Sequence, residues 1–501
     1  MSINPDIPLV ARAREHGDRT AVIASEGVFT YQDLLRVSAG IAGGLLRGDR
    51  DLGESRVAFL VPPGFRYAAT QWGIWRAGGV AVPLSVNHPP PELAYVIDDS
   101  ETSALIAAPE FEAVLGPIAA QRGLRMMTPD LAHPDRPPSL PQVAPHRRAM
   151  IVYTSGTTGR PKGVVTTHQN IQAQITCLTS AWGWSPEDHI LHVLPLHHVH
   201  GIVNILLCAL WSGAICEIMP RFEAEGVWER MAQGGLTLFM AVPTVYSRLI
   251  SAWDTYPPDQ QARCSAGAAQ MRLMVSGSAA LPVRTLEKWK AVTGHVLLER
   301  YGMTEIGMAL SNPLIGERRP GYVGYPLPEV TARVVDKKSL AVLGPDQAGE
   351  LQIKGPGVFH EYWRRPEETA ASFVDGWFCT GDEVVVVDGM YRILGRRSVD
   401  IIKTGGYKVS ALEIEETLRG HPLVTECAVV GTPDEEWGQR VAVAAVLQSG
   451  QALTLEDLRS WAKERLAPYK VPTRLLVLDD LPRNAMGKVT KPEVIRLFTE
   501  P

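Results

Sequence analysis

Residues 153–164 read Y-T-S-G-T-T-G-R-P-K-G-V, in which four serine or threonine side chains lie among three glycines and one lysine. Glycine allows backbone conformations that are closed to other residues, so successive N–H groups can turn inward on an anion. The hydroxyls add hydrogen-bond donors, and Lys162 adds a point charge. A plain surface turn needs neither, so the stretch predicts a phosphate-binding loop. Its candidate ligands are Thr154, Ser155, Gly156, Thr157, Thr158, Gly159 and Lys162.

The composition describes an ordinary globular enzyme or binding protein with several compact units. The chain has 501 residues and a net charge of −5, from 49 basic and 54 acidic residues, which argues against nucleic-acid or membrane binding by bulk charge. The six cysteines show no C-x-x-C spacing, which favours a reducing compartment without a zinc site. The first residues lack a secretory or mitochondrial pattern, and we therefore expect a cytoplasmic protein. The apolar stretch 201–216 is too short to span a bilayer and predicts a buried core helix.

The order of elements predicts an α/β fold. The apolar run at 150–153 leads into the loop as a buried strand, and the patterns predict a helix over 31–46, a strand over 56–61 and a helix over 67–77. A strand is also expected at 271–275, and a proline-rich surface connection at 133–146. Beyond residue 320 strands become frequent. We expect them at 332–335, 349–353, 383–387 and 391–394, followed by a helix at 411–419 and strands at 424–431 and 441–447.

Further motifs follow the loop in a characteristic order. The loop is not a Walker A motif, because Lys162 follows a proline and precedes a glycine. The later motifs are P-L-H-H-V-H-G at 195–201, E-R-Y-G-M-T-E at 299–305, T-G-D at 380–382, G-R-R-S-V-D-I-I-K-T-G-G-Y-K-V at 395–409 and P-R-N-A-M-G-K at 482–488. Together they resemble the adenylate-forming superfamily of acyl-CoA synthetases, luciferases and adenylation domains. The motif at 299–305 with its flanking residues is most similar to the malonyl-CoA synthetases.

The resemblance implies a large N-terminal domain, residues 1–396, of parallel sheets covered by helices with a distorted β-barrel-like subdomain. A small mobile α+β domain, residues 397–501, would follow, with the hinge at Ser398 and Val399. The family pattern often has Asp or Lys shortly after G-R, whereas this chain has one extra residue before Asp400. The implied reaction uses ATP, Mg²⁺ and coenzyme A. A carboxylate attacks the α-phosphate to give an acyl-adenylate, and the CoA thiol then displaces AMP.

The resemblance also implies roles for single residues. Lys488 would bridge the carboxylate and the α-phosphate, which suits a flexible ammonium, although a solvated lysine is the ordinary alternative. Glu305 would bind Mg²⁺ beside Thr304, with a helix N-cap as the alternative for this Thr-Glu pair. Asp382 would accept hydrogen bonds from the ribose, assisted by Arg396. The adenine would lie near Gly277, Tyr301 and Gly302.

Arg300 distinguishes the acids that this chain could use. Many relatives have an uncharged residue just before the tyrosine, and an arginine there could hold the distal carboxylate of a dicarboxylic acid. The alternative is an ion pair with Glu299 or with another acid at the surface. His200 would line the acyl pocket and is a candidate catalytic residue, whereas His197 and His198 would be structural and a metal cluster is not expected. The other expected pocket walls are Val199, Ser276, Met303 and Met308.

On the CoA side, Gly405, Gly406 and Tyr407 resemble the loop that lines the pantetheine tunnel, and Lys470 and Arg474 are basic candidates for the nucleotide phosphates. We expect a malonate–CoA ligase, with methylmalonate as a further acid. The alternatives are a ligase for another short-chain or aromatic acid, a stand-alone adenylation enzyme for a carrier protein, and a regulator that only binds nucleotide. Acetylation of Lys488 by a lysine acetyltransferase would remove the charge that adenylation needs.

Overall fold

The computed structural model describes residues 7–129, 139–154, 161–396, 399–404, 407–434, 437–484 and 487–499. The first segment alternates helices and strands, as predicted. Its helices are α1 (Pro8–His16), α2 (Tyr31–Leu46), α3 (Phe65–Arg76), α4 (Pro90–Asp99) and α5 (Glu112–Arg122). Its strands are β1 (Thr20–Ala24), β2 (Gly27–Thr30), β3 (Arg56–Leu60), β4 (Val80–Pro83), β5 (Ala104–Ala107) and β6 (Arg125–Met127), with a 3₁₀ turn at Pro109–Phe111.

The central segment continues this alternation through the phosphate-loop motif. Its strands are β7 (Arg148–Thr154), β8 (Lys162–Thr167), β9 (His189–His192), β10 (Ile215–Ile218), β11 (Leu238–Ala241), β12 (Leu273–Ser276), β13 (Leu298–Met303) and β14 (Gly307–Ser311). Its helices are α6 (His168–Ala181), α7 (Cys208–Ser212), α8 (Ala224–Ala232), α9 (Pro243–Asp254), α10 (Pro258–Ala269) and α11 (Val283–Thr293).

The expected helix over 201–216 is only partly right. A π-helix covers His200–Leu207 and runs into α7, but Gly213 then ends the helix at φ 78° and the chain enters β10. Glycine tolerates this left-handed conformation, so the last residues of the apolar run become a buried strand. No helix among the described residues is both long and apolar enough to cross a membrane.

Short strands dominate the remaining sequence. The strands before the domain seam are β15 (Tyr325–Pro326), β16 (Thr331–Val335), β17 (Gly349–Lys354), β18 (Glu361–Tyr362), β19 (Phe373–Val374), β20 (Trp377–Val387) and β21 (Met390–Arg396), with helix α12 (Pro366–Ala371). The elements after it are β22 (Ile401–Thr404), β23 (Tyr407–Ser410), α13 (Ala411–Arg419), β24 (Val424–Asp434), β25 (Gly438–Leu447), α14 (Leu455–Lys463), a 3₁₀ turn at Pro468–Lys470, β26 (Arg474–Leu478) and α15 (Lys491–Thr499).

Two large sheets carry the N-terminal part. One has nine strands in the order β15-β14-β13-β12-β11-β9-β10-β1-β2, and its strands from β13 to β1 run parallel. The other has seven strands in the order β18-β8-β7-β4-β3-β5-β6, and its strands from β7 to β6 run parallel. Because parallel strands present their carboxyl ends at one edge, this arrangement collects loop residues into a cleft.

Two smaller sheets complete the fold. Strands β16, β17, β20, β19 and β21 form an antiparallel sheet that corresponds to the expected barrel-like subdomain. In the C-terminal part, β23, β22, β25 and β24 pair antiparallel and β26 adds a parallel edge. The buried apolar clusters that begin at Ile402 and Ala428 contain no residue from before the seam. The C-terminal part therefore has a core of its own.

Candidate active site

One cleft of about 2560 Å³ brings together most of the motifs. It is lined by the ends of β12, β13, β20 and β21, by the P-L-H-H-V-H-G segment, and by the C-terminal segment that carries Lys488. The residues that sequence analysis assigned to the acid and the nucleotide thus meet across the two parts of the chain.

Lys488 is held at the cleft by a tight turn. Its backbone N–H donates to Asn484 Oδ1 at 3.0 Å, and its carbonyl accepts from the Asn484 N–H at 2.9 Å. Burial, with Arg300 and Arg396 nearby, lowers the pKa of Lys488 to about 8. Because Lys488 lines the cleft together with Arg300 and Arg396, the structure favours the cleft role over the solvated-lysine alternative.

Arg300 points into the cleft as an unpaired buried cation. Its side chain is 3% exposed, and Nη2 donates to Ser278 Oγ at 3.3 Å. Its Nε and Nη1 atoms are buried and have no partner in the part of the chain that the structure describes. Burial lowers the pKa of Arg300 to about 9, which leaves the guanidinium charged at neutral pH. Gly277 makes room for it, since a Cβ there would lie 2.6 Å from Arg300 Cζ.

The alternative ion pair between Arg300 and Glu299 is wrong. Neighbouring residues on a strand point to opposite faces, and Glu299 Oε1 instead accepts from the Gly321 N–H at 3.2 Å. Burial raises the pKa of Glu299 to about 8, and the Glu416 carboxylate adds to this rise. Glu416 belongs to α13 and accepts from the Val283 N–H at 3.1 Å, so Glu299 lies where the two parts of the chain meet.

The histidines of the P-L-H-H-V-H-G segment lie together at the cleft. His200 Nδ1 lies 3.2 Å from Ser278 Oγ, while its Nε2 is buried with no partner among the described residues. Burial, with Arg300 nearby, holds the pKa of His200 well below its ordinary value. The rings of His197 and His198 are tilted against each other, with centroids 4.1 Å apart and an angle of 51° between the ring planes. No group of three or more potential metal ligands occurs within the described ranges.

The remaining predicted pocket residues lie around these cations. Val199, Ser276, Met303 and Met308 all line the cleft, as does Thr304. Ser276 Oγ is buried without a hydrogen-bond partner among the described residues. Gly302 leaves no room for a side chain, because a Cβ there would lie 2.1 Å from the Gly307 carbonyl.

On the nucleotide side, Asp382 is fixed by two donors. Tyr301 Oη donates to Asp382 Oδ2 at 2.5 Å, and Arg396 Nε donates to Oδ1 at 3.0 Å. The Asp382 carboxylate is buried, and the Asp382 backbone N–H donates to Thr380 Oγ1 at 3.1 Å. The T-G-D and G-R motifs therefore meet, as their pairing across β20 and β21 requires.

Glu305 lies in the turn between β13 and β14, so the helix N-cap alternative is wrong. The chain pairs with itself across Met303 and Gly307 and continues as a strand. Tyr362 Oη donates to Glu305 Oε1 at 2.9 Å, and burial raises the pKa of this carboxyl. No salt bridge to Glu305 occurs among the described residues, so a cation would find a buried carboxylate there.

Residues 155–160 of the phosphate loop, with Ser155, Gly156, Thr157, Thr158 and Gly159, lie outside the described residues. Both flanks of the loop are braced. Tyr153 Oη donates to Asp99 Oδ2 at 2.7 Å, and Tyr95 Oη donates to the Pro161 carbonyl at 2.7 Å. Thr154 lines the cleft and pairs in register with Lys162, which forms an ion pair with Glu368.

The expected CoA-side residues that the structure describes, Tyr407, Lys470 and Arg474, do not line the cleft. Tyr407 is 54% exposed and stacks on Tyr469, with ring centroids 4.2 Å apart. Lys470 Nζ bonds Glu413 Oε1 at 2.5 Å. Arg474 begins β26, while Gly405 and Gly406 lie outside the described residues. The three described residues all belong to the C-terminal part.

A buried ion cluster follows the predicted hinge, of which Ser398 lies outside the described residues and Val399 within them. Asp400 Oδ2 accepts from the Arg396 N–H at 2.9 Å, and its Oδ1 accepts from Lys491 Nζ at 2.5 Å. Lys491 also contacts Glu415 Oε1 at 2.7 Å. Asp400, which the sequence left undecided, therefore ties the end of β21 to α13 and α15.

Comparison with known proteins now identifies the family. The profile of the AMP-binding enzyme family matches residues 9–363, and that of the AMP-binding enzyme C-terminal domain matches residues 413–488. The chain belongs to the AMP-binding enzyme family. It is 48% identical to the mitochondrial malonate–CoA ligase of Bos taurus over 526 residues, which covers 98% of this chain and 90% of the relative.

A solved structure adds information on the arrangement of this AMP-binding enzyme. ATP-bound MatB from Rhodopseudomonas palustris is 33% identical, with a TM-score of 0.91 over 99% of both chains. Apo MatB from the same organism has the same identity and coverage but a TM-score of 0.78. The arrangement of this chain is therefore more similar to that of ATP-bound MatB than to that of apo MatB.

Sequence reasoning missed several residues of this AMP-binding enzyme. Ser278 bonds both Arg300 and His200, and it does so at φ 70°, which is rare for serine. Gln174 on α6 donates to the Ile306 carbonyl at 3.0 Å and accepts from the Met308 N–H at 2.8 Å, holding the turn after Glu305. Only the S-G-S run beside Gly277 gave a local signal; the Gln174 contacts depend on packing.

Proposed function

We propose that the protein ligates malonate to coenzyme A with ATP through a malonyl-adenylate. The observation that carries this proposal is the unpaired guanidinium of Arg300 in the acid pocket. An acid with one carboxylate leaves Arg300 without an anion, whereas a short diacid can contact Lys488 at one end and Arg300 at the other. The relatives named as malonate–CoA ligases support the same acid.

In the first half-reaction, a malonate oxygen bonds to the α-phosphorus of ATP and the bond to the β-phosphate oxygen breaks, releasing pyrophosphate. Lys488 offsets the negative charge that develops between the two anions. Asp382 holds the ribose hydroxyls, and Lys162 meets the outer phosphates. In the second half-reaction, the CoA sulfur bonds to the carbonyl carbon, AMP leaves, and the thiol proton is released.

Glu305 and the Thr304 hydroxyl fit Mg²⁺, because they are hard oxygen donors and the buried Glu305 carboxylate lacks a cationic partner among the described residues. When bound, Mg²⁺ would supply positive charge to the phosphate oxygens. The chain's own contribution is to hold this carboxylate still: Tyr362 bonds one of its oxygens and Gln174 braces the turn that follows.

Residues 397–501 would rotate between the two half-reactions, exchanging the Lys488 face for the face with Gly405, Gly406 and Tyr407. The higher likeness to ATP-bound MatB supports assigning the present arrangement to adenylation. The exposed ring of Tyr407, which stacks on the partly buried Tyr469 with Lys470 beside the pair, supports a CoA-binding role for the other face.

A panel of acids tests the function. We expect pyrophosphate exchange and thioester formation with malonate, weaker activity with methylmalonate, and none with acetate, butyrate or octanoate. Thioester formation with free CoA separates a CoA ligase from a carrier-protein enzyme. Exchange with benzoate but not malonate would support the aromatic alternative, and absence of acid-dependent AMP release would leave only nucleotide binding.

Two finer proposals concern the cell. Acetylation of Lys488 would stop adenylation while sparing thioester formation from supplied malonyl-adenylate. Equal loss of the two activities would contradict this proposal.

We also propose a cytoplasmic location. The six free cysteines fit a reducing compartment, but they would also fit the mitochondrial location named for the animal relatives, and fractionation of cells decides between the two locations.

A further inference from the structure

Tyr362 contacts two functional groups that come from different sheets. Its hydroxyl donates to Glu305 Oε1 at 2.9 Å, and Lys162 Nζ lies 5.4 Å from the centroid of its ring. The side chain is 9% exposed and packs edge-on against Phe359 with centroids 4.7 Å apart. One tyrosine thus lies between the carboxylate that fits a metal ion and the lysine of the phosphate loop.

The backbone of Tyr362 belongs to the sheet that carries the phosphate loop. Tyr362 pairs with Val164, two residues after Lys162, and the Trp363 N–H donates to the Gly163 carbonyl at 2.8 Å. The Tyr362 N–H donates to Thr369 Oγ1 at 3.0 Å. The position of the ring is therefore set by the seven-stranded sheet, and a shift of β8 would carry the ring with it.

The hydroxyl end of Tyr362 reaches the other sheet. Glu305 lies in the turn that joins β13 to β14 of the nine-stranded sheet, and its carbonyl accepts from the Phe359 N–H at 2.7 Å. The bond from Tyr362 fixes one carboxylate oxygen and so orients the other. The phenol is therefore a direct link between the phosphate-loop lysine and the carboxylate of Glu305.

We propose that Tyr362 is a positioning residue that couples metal binding at Glu305 to triphosphate binding at Lys162. This inference rests on the proposed nucleotide site. Its two contacts have different chemistry and can be removed one at a time. Tyr362→Phe loses the hydrogen bond and keeps the ring under Lys162, whereas Tyr362→Leu loses both.

Binding measurements on the intact chain test the coupling. Calorimetry would measure ATP affinity in EDTA and in MgCl₂, and electron paramagnetic resonance would measure Mn²⁺ affinity of the enzyme–ATP complex. For Tyr362→Phe we expect metal-free ATP affinity within about twofold of wild type and Mn²⁺ affinity lowered about tenfold, from one hydrogen bond to a charged group. Tyr362→Leu should in addition lower metal-free ATP affinity about threefold, from the lost cation–π contact.

Tyr391→Phe is the matched control. Tyr391 is also buried, its hydroxyl donates to the Ala332 carbonyl at 3.4 Å, and it does not line the cleft. This variant should keep both affinities. Unchanged Mn²⁺ affinity in Tyr362→Phe would overturn the coupling, and so would equal losses of metal-free ATP and Mn²⁺ affinity, which indicate a general structural role. If wild type bound no ATP, the proposed function itself would fail; metal-dependent wild-type binding with an unaffected Tyr362→Phe would overturn this inference alone.

Discussion

Replacing Arg300 with methionine should strongly reduce the use of malonate and make the folded protein more stable. The guanidinium is buried, its Nε and Nη1 atoms have no partner among the described residues, and Nη2 has a long bond of 3.3 Å to Ser278. Methionine is a flexible apolar side chain that can fill much of the same space. The free protein therefore loses an uncompensated charge, whereas the complex with malonate loses an ion pair.

The two effects have opposite signs. A buried donor left without a partner costs about 1–3 kcal/mol, so the free energy of unfolding should rise by about that amount in Arg300→Met. Removing one member of a buried charge pair costs about 2–5 kcal/mol, which corresponds to a fall in kcat/KM for malonate of about 30- to 5000-fold. Activity with butyrate, which we expect wild type to lack, should stay absent or rise, since butyrate has no second carboxylate that needs Arg300.

Acid-dependent AMP release would measure kcat/KM, and urea denaturation would measure stability. Arg272→Met is the control for the sign of the stability change. Arg272 pairs with buried Asp188 at 2.6 and 2.7 Å, so its loss strands a carboxylate and should destabilise the protein by about 1–3 kcal/mol without changing acid selectivity. If Arg300→Met used malonate nearly as well as wild type, or were destabilised like the control, the assignment of Arg300 would be wrong.

Three further predictions concern charge at the cleft. Lys488→Met should lower pyrophosphate exchange more than about 100-fold while sparing thioester formation from malonyl-adenylate, and comparable losses in both assays would refute this role. Because the pKa of Lys488 is about 8 and the ammonium is the active form, kcat/KM for adenylation should fall above pH 8 by about tenfold per unit, with a flatter profile in Lys488→Arg. The pKa of Glu299 is raised to about 8, so the folded state retains a proton that the unfolded chain releases. As the pH rises from about 4.5 to 8, the stability of wild type should therefore fall more steeply than that of Glu299→Gln. Thermal denaturation across this range would detect the difference, and parallel plots of stability against pH would contradict the prediction.

The regular elements could be predicted wherever one local pattern determined them. The helix over Tyr31–Leu46 begins with a capping box, in which the side chains of Thr30 and Asp33 each accept from the other residue's backbone N–H. Residues close together in the sequence therefore determine where this helix starts. The apolar run at 201–216 failed as one helix because Gly213 ends it, and apolarity alone does not separate a buried helix from a buried strand.

The site was predictable as a set of residue types and less so as a set of contacts. The motifs indicated Asp382, Arg396 and Lys488, and the structure brings all three to one cleft. Strand alternation already argues against a pair between Glu299 and Arg300, since adjacent strand residues face opposite ways. By contrast, the bond from Tyr362 to Glu305 joins residues 57 positions apart in different sheets, and no local pattern predicts it.

The cleft brings together cationic side chains that repel one another when no anion is bound. Burial is the main cause of the lowered pKa of Lys488 and of His200, but Arg300 and Arg396 lower that of Lys488 further, and Arg300 and Lys488 lower that of His200 further. A bound acid relieves this repulsion in proportion to the charge it brings. A monocarboxylate near Lys488 leaves Arg300 buried and unpaired, whereas a diacid neutralises both. In the proposed function, selectivity for a short diacid would therefore arise as much from the cost of leaving Arg300 unpaired as from the contacts that malonate makes, because a site built around a buried charge rejects ligands that fail to pair it.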